Sequence, residues 1–296
     1  MICNRCDLLI YGLTQSTETN EYLMVFQYAD NGSLNKFLRK NFKDITWQTK
    51  LKLLEDISRD LYLIHYSGYI HADFHSDSQN DFLNDYTGNI LQDEGISKNM
   101  KSYISDLGLS KKKDENDSEG NIYGIMPYAA PEVLSGQKFT QAADVYGFGV
   151  IMSEMSTGRR PFDGYQFDFE LAVKICKGLR PEFAPGTPDC YIELAMNCMD
   201  SDPHKRPISW NVYQKVFKWN SNMISSVDAS KQFLDADKIV KELPVILPQH
   251  PDHMYTSKII NTQRISSAIK ATLTSIPIDS VEVPTVTNKI KIWPYI

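Results

Sequence analysis

Between Leu51 and Ile64 the apolar residues Leu51, Leu54, Ile57, Leu61 and Ile64 recur at steps of three and four. That spacing draws one apolar stripe down a single long helix, and such a stripe reads as core packing. Thr46 or Thr49 opens the helix and Gly68 stops it, as capping residues do. The chain then runs directly into Tyr69-Ile70-His71-Ala72-Asp73-Phe74-His75-Ser76, a short run dense in His and Asp. A core helix delivering titratable groups in this way fixes where to look for chemistry.

Ahead of this helix the sequence predicts a strand from Asp7 to Leu13, a polar turn, and a second strand from Glu21 to Tyr28. Asp30-Asn31-Gly32 breaks it, and Ser33 caps a short helix running to Asn41. Two short strands are expected at Asn89–Gln92 and Lys101–Ser105. Further helices are expected near Thr140–Ser156, Phe167–Lys177, Asp189–Cys198 and Ile208–Trp219, divided by Gly and Pro. The Lys111-Lys112-Lys113 run reads as a solvated face. Beyond about Asn220 the periodicity fades, and residues 221–296 read as a mostly disordered tail in which Ile259–Leu273 could form one short amphipathic helix.

Charge and cysteine usage narrow the function classes. The 296 residues carry 31 Lys+Arg against 37 Asp+Glu, a net charge of −6, which argues against a nucleic-acid binder. No apolar run approaches the length of a membrane span. Five cysteines, an odd number, suggest reduced thiols and a cytoplasmic setting rather than a disulfide framework. Cys3 and Cys6 have the gap of a zinc half-site, but no second pair follows, so free thiols are the reading.

After the His71-Ala72-Asp73 run come Gly88-Asn89-Ile90-Leu91, Asp106-Leu107-Gly108 and Ala130-Pro131-Glu132. Further on stand Asp144-Val145-Tyr146-Gly147-Phe148-Gly149, Thr157-Gly158-Arg159-Arg160-Pro161-Phe162, and the segment from Cys198 to Pro207. In this order and separation the motifs resemble the eukaryotic protein kinase family, from about Leu8 to Trp219, with a tyrosine-kinase-like flavour. The resemblance implies an α+β fold in three parts. Residues 1–30 would be a truncated β N-lobe remnant and hinge. Residues 31–220 would be a mainly helical C-lobe, and 221–296 the tail.

The resemblance also implies transfer of the ATP γ-phosphate to a protein Ser/Thr hydroxyl, with Tyr the other option. Asp73 would orient the acceptor hydroxyl and take its proton. Asp106 and Asn89 would be the Mg²⁺ ligands, and Phe26, Gln27 and Ala29 would hold adenine at the hinge. Glu132 and Arg206 would form a structural ion pair, and Asp144 would brace the catalytic-loop backbone. The expected partners are ATP and a protein substrate or signalling partner.

Three departures bear on activity. The family's Gly-rich loop, strand Lys and Glu-bearing helix belong ahead of Asp7, where this sequence has six residues; its only GxG is Gly147-Phe148-Gly149, within the expected central helix. The eleven residues Asp77–Thr87 interrupt the catalytic loop between Ser76 and Gly88. Ala72 stands where the family has Arg, and His75 where many members have a phosphate-facing Lys. Two readings follow: a protein kinase, and a pseudokinase-like binding scaffold without catalysis.

Overall fold

The computed structural model describes residues 9–76, 89–94, 100–113, 121–225, 230–242 and 248–274. Cys3, Cys6 and the inserted residues 77–87 lie outside that set. Strands β1 (Ile10–Gln15) and β2 (Tyr22–Phe26) form an antiparallel hairpin, with Thr14 opposite Leu23 and a register shift between Ile10 and Gly12. Its side chains are largely exposed, including Tyr11, Leu13 and Tyr22. Helix α1 (Leu34–Asn41) follows, capped by the Ser33 hydroxyl, which accepts from the Lys36 N–H.

Helix α2 (Trp47–Tyr66) is the predicted long helix, capped by Thr46. Leu51, Leu54, Ile57 and Leu61 are fully buried and Ile64 nearly so, as the stripe requires. Short strand β3 (Tyr69–Ile70) leaves it, and β4 (Ile90–Asp93) pairs antiparallel with β5 (Lys101–Ile104). Strand β6 (Lys111–Lys112) pairs with β3, and the Lys111 ammonium lies 4.7 Å from the Phe139 ring centroid. The basic run is therefore partly built into the sheet edge.

Strand β7 (Asn121–Gly124) leads to the short helix α3 (Pro131–Leu134) and then to α4 (Gln141–Thr157), which is buried along almost its whole length. The GxG of α4 is a packing device. A Cβ at Gly147 would come 2.9 Å from the Phe74 carbonyl oxygen, and one at Gly149 2.7 Å from Met199 Cγ. Only glycine admits neighbours this close. Helices α5 (Phe169–Cys176), α6 (Asp189–Cys198) and α7 (Ser209–Ser225) follow close to their predicted ranges, with α6 packed on α4, α5 on α3 and α7 along α2.

The chain beyond Asn220 departs from expectation. Helix α7 continues to Ser225, and α8 (Ser230–Glu242) buries Phe233, Ala236 and Val240 against the helical core. The Phe233 ring packs on Trp47 and Trp219, and the Asp237 carboxylate accepts the Trp47 N–H at 2.6 Å. Then β8 (Lys258–Asn261) pairs antiparallel with β7, and α9 (Thr262–Thr274) follows. The disordered-tail expectation is thus corrected for residues 230–242 and 248–274. These residues acquire order from tertiary partners that local periodicity cannot reveal. The expected helix from Ile259 begins three residues later for the same reason, since Ile259 and Ile260 are held in a strand by β7.

One buried group is costly. Lys50, on α2, has no exposed surface, and among the described residues its Nζ has no hydrogen-bond partner; it lies 4.1 Å from the Phe42 and 5.0 Å from the Trp47 ring centroid. Desolvation lowers its pKa from 10.5 to about 7, against the upward pull of Asp237. Between those values the unfolded chain holds a proton that the native state has released, so folding stability rises with pH across the window and levels off below it. Lys50→Met is expected to raise Tm most at pH 7 and below, with the gain shrinking toward pH 10; thermal unfolding of both proteins across that range checks it.

Candidate functional site

The loop after β3 is shaped by one carboxylate. Asp144, in the first turn of α4, accepts the His71 N–H at 2.8 Å through Oδ2 and the Ala72 N–H at 3.0 Å through Oδ1. His65 Nε2 lies 2.9 Å from the same Oδ2, and His65 Nδ1 is 3.0 Å from the Ser209 hydroxyl. One carboxylate captures two successive amides, and the second of these residues, Ala72, adopts a left-handed φ of 67°. A non-glycine residue in that region is strained and persists only where its surroundings over-determine it. The expected bracing role of Asp144 is therefore visible as two hydrogen bonds.

His71 is held by its own pair of bonds. Nε2–H donates to the Ser105 carbonyl at 3.0 Å, while Nδ1 accepts the Asp73 N–H at 3.3 Å. Both require a neutral ring with its proton on Nε2. Burial keeps its pKa below the ordinary imidazole value, opposing the nearby Asp144 carboxylate. His71 is a packed loop residue.

Asp73 stands on this loop with 5% of its surface exposed. The Asn89 amide donates to the Asp73 carbonyl at 2.6 Å and to its Oδ2 at 3.2 Å, and lies 3.1 Å from His75 Nε2. Two of the expected site residues are thus joined directly, although sixteen positions separate them. The Ser257 hydroxyl, just before β8, donates to Asp73 Oδ2 at 3.5 Å. On the other side of the carboxylate, a Cβ at Gly124 would lie 3.4 Å from Oδ1.

Asp106 connects to this centre through backbone. The Ser105 N–H donates to the Asn89 carbonyl at 2.9 Å, and the Ser105 carbonyl takes the His71 bond. Asp106 itself is exposed and left-handed at φ 54°, with its Oδ1 accepting the Gly108 N–H at 3.2 Å. Its carboxylate thus serves its own turn, and the hydrogen bonds of Asn89 run to Asp73 and His75. Among the described residues no group of three or more His, Cys, Asp or Glu gathers as a cation site. One carboxylate and one amide oxygen form a sparse set of hard donors. Such a set suits Mg²⁺ arriving with phosphates, which supply the rest of its shell.

The expected hinge residues adjoin this region. Gln27 donates its N–H to the Leu9 carbonyl at 2.7 Å, and its side-chain amide reaches the Asp93 carboxylate at the end of β4. Ala29 is buried and its carbonyl accepts the Gly32 N–H. Phe26 is 46% exposed.

Two further buried carboxylates fix the surrounding segments. Glu132 accepts a bidentate pair from Arg206, at 2.7 and 2.6 Å, and the same guanidinium donates to the Asp200 and Ala142 carbonyls. Sequence reasoning missed the second, Glu154 of α4. It accepts from Asn35 of α1 at 2.7 Å, from Ser76 of the loop at 2.5 Å and from the Tyr128 hydroxyl at 2.9 Å. The available signal was a carboxylate following the apolar run Val150-Ile151-Met152 in the second half of the helix.

Comparison with known proteins identifies the family. A family model described as protein tyrosine and serine/threonine kinase matches residues 6–216. A Dictyostelium discoideum protein named as the serine/threonine-protein kinase roco5 is 31% identical over 202 residues, covering 65% of this chain and 7% of that protein. A protein of Acanthamoeba polyphaga mimivirus named as the serine/threonine-protein kinase/receptor R818 is 31% identical over 186 residues, 62% of this chain and 10% of that one. Cyclic GMP-binding protein C of Dictyostelium discoideum is 31% identical over 189 residues, with 62% and 7% covered. The chain spans only a small part of the length of these curated relatives. It belongs to the protein tyrosine and serine/threonine kinase family.

Removing one partner of the Arg206–Glu132 pair would strand a buried charge. Arg206→Ala is expected to lower folding stability by about 3–5 kcal/mol. Urea denaturation checks this, with an unchanged midpoint arguing that the pair is idle.

Proposed function

We propose that this chain binds Mg·ATP and transfers the γ-phosphate to a protein hydroxyl, with Asp73 as the residue that orients the acceptor. The observation that carries the reading is the coupling of Asp73 to Asn89 on a loop held in strained geometry by Asp144. Phosphoryl transfer depends on positioning and charge stabilisation, so a rigid carboxylate is what the reaction asks of this loop. Asn89 and Asp106 would offer one oxygen each to Mg²⁺, which when bound neutralises charge on the phosphates. The Gln27 carbonyl and the Ala29 N–H would meet the adenine edge, with Phe26 beside it.

Each remaining residue has a holding task. Asn89 keeps the Asp73 Oδ2 and main chain in place. His71 locks Ser105, and so the start of the Asp106 turn, against the loop. Asp73 then accepts the hydroxyl proton as the new ester bond forms.

A scaffold reading draws support from the GxG of α4, which packs against Phe74 and Met199 and offers no amides to a phosphate. Nucleotide dependence separates the two. With the kinase reading, Mg·ATP raises Tm by mass action and labelled phosphate appears on added protein substrates. Asp73→Asn then lowers transfer by about 10²–10⁴-fold with Tm nearly unchanged. Transfer that survives Asp73→Asn would remove Asp73 from that role, and the absence of both transfer and any Mg·ATP shift would leave the scaffold.

A further inference from the structure

Residues 248–261 run across the helical core toward Asp73. The Gln249 and His250 N–H groups both donate to the Asp163 carboxylate at 3.0 Å. Tyr255 is fully buried: its hydroxyl donates to the Pro161 carbonyl at 3.1 Å, its ring meets Phe167 edge-on at 4.7 Å, and the Arg160 guanidinium lies 4.6 Å from the ring centroid. Two residues later Ser257 meets the Asp73 carboxylate. Strand β8 then pairs with β7, Gly124 opposite Lys258 and Ile122 opposite Ile260, with Ile260 buried and Ile259 exposed. Helix α9 closes the segment through buried Thr262 and Ile265.

A fixed aromatic on one side of Ser257 and a sheet ladder on the other leave its hydroxyl little choice of position. We propose that Ser257 is an acceptor hydroxyl of this chain's own site, phosphorylated in cis. The proposal rests on the kinase reading and goes beyond it by naming an acceptor. In the reaction a bond forms from Ser257 Oγ to the γ-phosphorus as the bond from that phosphorus to the β–γ bridging oxygen breaks. The hydroxyl proton passes to the Asp73 carboxylate, and the nucleoside diphosphate leaves with the electron pair.

The product acts on its own site. A phosphoserine carries about −1.5 to −2 charge at neutral pH, and here it would stand beside the Asp73 carboxylate. Like-charge repulsion then drives Ser257 off Asp73 and loosens β8 from β7. An extended hydroxyl-bearing peptide could take the vacated edge, so the unmodified segment acts as a plug that its own phosphorylation removes.

The test incubates the full chain with Mg·ATP carrying a labelled γ-phosphate over a 100-fold range of protein concentration, with an added protein substrate in parallel. The expected result is label on Ser257 at a rate per molecule independent of concentration. Ser257→Ala removes that label, Ser257→Thr keeps it, and hydrogen exchange quickens once the site is modified at those β7 amides, alternate along the strand, that face β8. Label on the added protein but not on Ser257 overturns the proposal and leaves the kinase reading standing. Ser257 labelling that scales with concentration also overturns it, because transfer is then between molecules. Label on neither overturns both.

Discussion

Two amide protons caught by one carboxylate organise this molecule. Asp144 sits where a buried helix begins, and its two oxygens take the N–H groups of His71 and Ala72 at once. From that clamp the rest follows in short steps. His71 turns to Ser105, Ser105 meets Asn89, and Asn89 reaches back to Asp73. The chain of bonds closes on itself, and a closed ring of hydrogen bonds resists the drift that a single contact would permit.

Helix α4 does this from both ends. Asp144 holds the loop near its start, and Glu154, ten residues on, gathers Asn35, Ser76 and Tyr128 from three separate segments. Buried carboxylates are tolerated only when well satisfied, and each of these accepts several donors. The glycines at 147 and 149 let Phe74 and Met199 press against the helix between them. One element thereby fixes the loop's backbone, its side-chain anchor and its backing.

Much of this was legible in the sequence because it is written in local periodicity and in motif spacing. The stripe from Leu51 to Ile64 specified α2, and Ser33 and Thr46 marked helix starts that their hydroxyls do cap. Asp144 and the Glu132–Arg206 pair were recognisable from the resemblance. What escaped were features whose partner lies far along the chain. Strand β8 needs β7, some 140 residues upstream, and a Lys-Ile-Ile-Asn stretch alone fits a helix as readily as a strand. Glu154 carries no local sign of which three segments it will join. Lys50 interrupts no apolar pattern, since a polar residue beside a stripe is ordinary, and only packing reveals that it is enclosed.

The hairpin of β1 and β2 has a thermodynamic consequence of its own. Two strands with side chains mostly in water are marginal by themselves, and bonds such as Gln27 to Asp93, Asn31 to Gln92 and the Glu94 N–H to Asp30 help moor this pair to the body. On the proposed reading, the adenine edge met by Gln27 and Ala29 would be ordered only in the fraction of molecules in which the mooring holds, and affinity would be multiplied by that fraction. On that same reading, whatever lays apolar surface over Tyr11, Leu13 and Tyr22 would tighten nucleotide binding without ever touching the nucleotide.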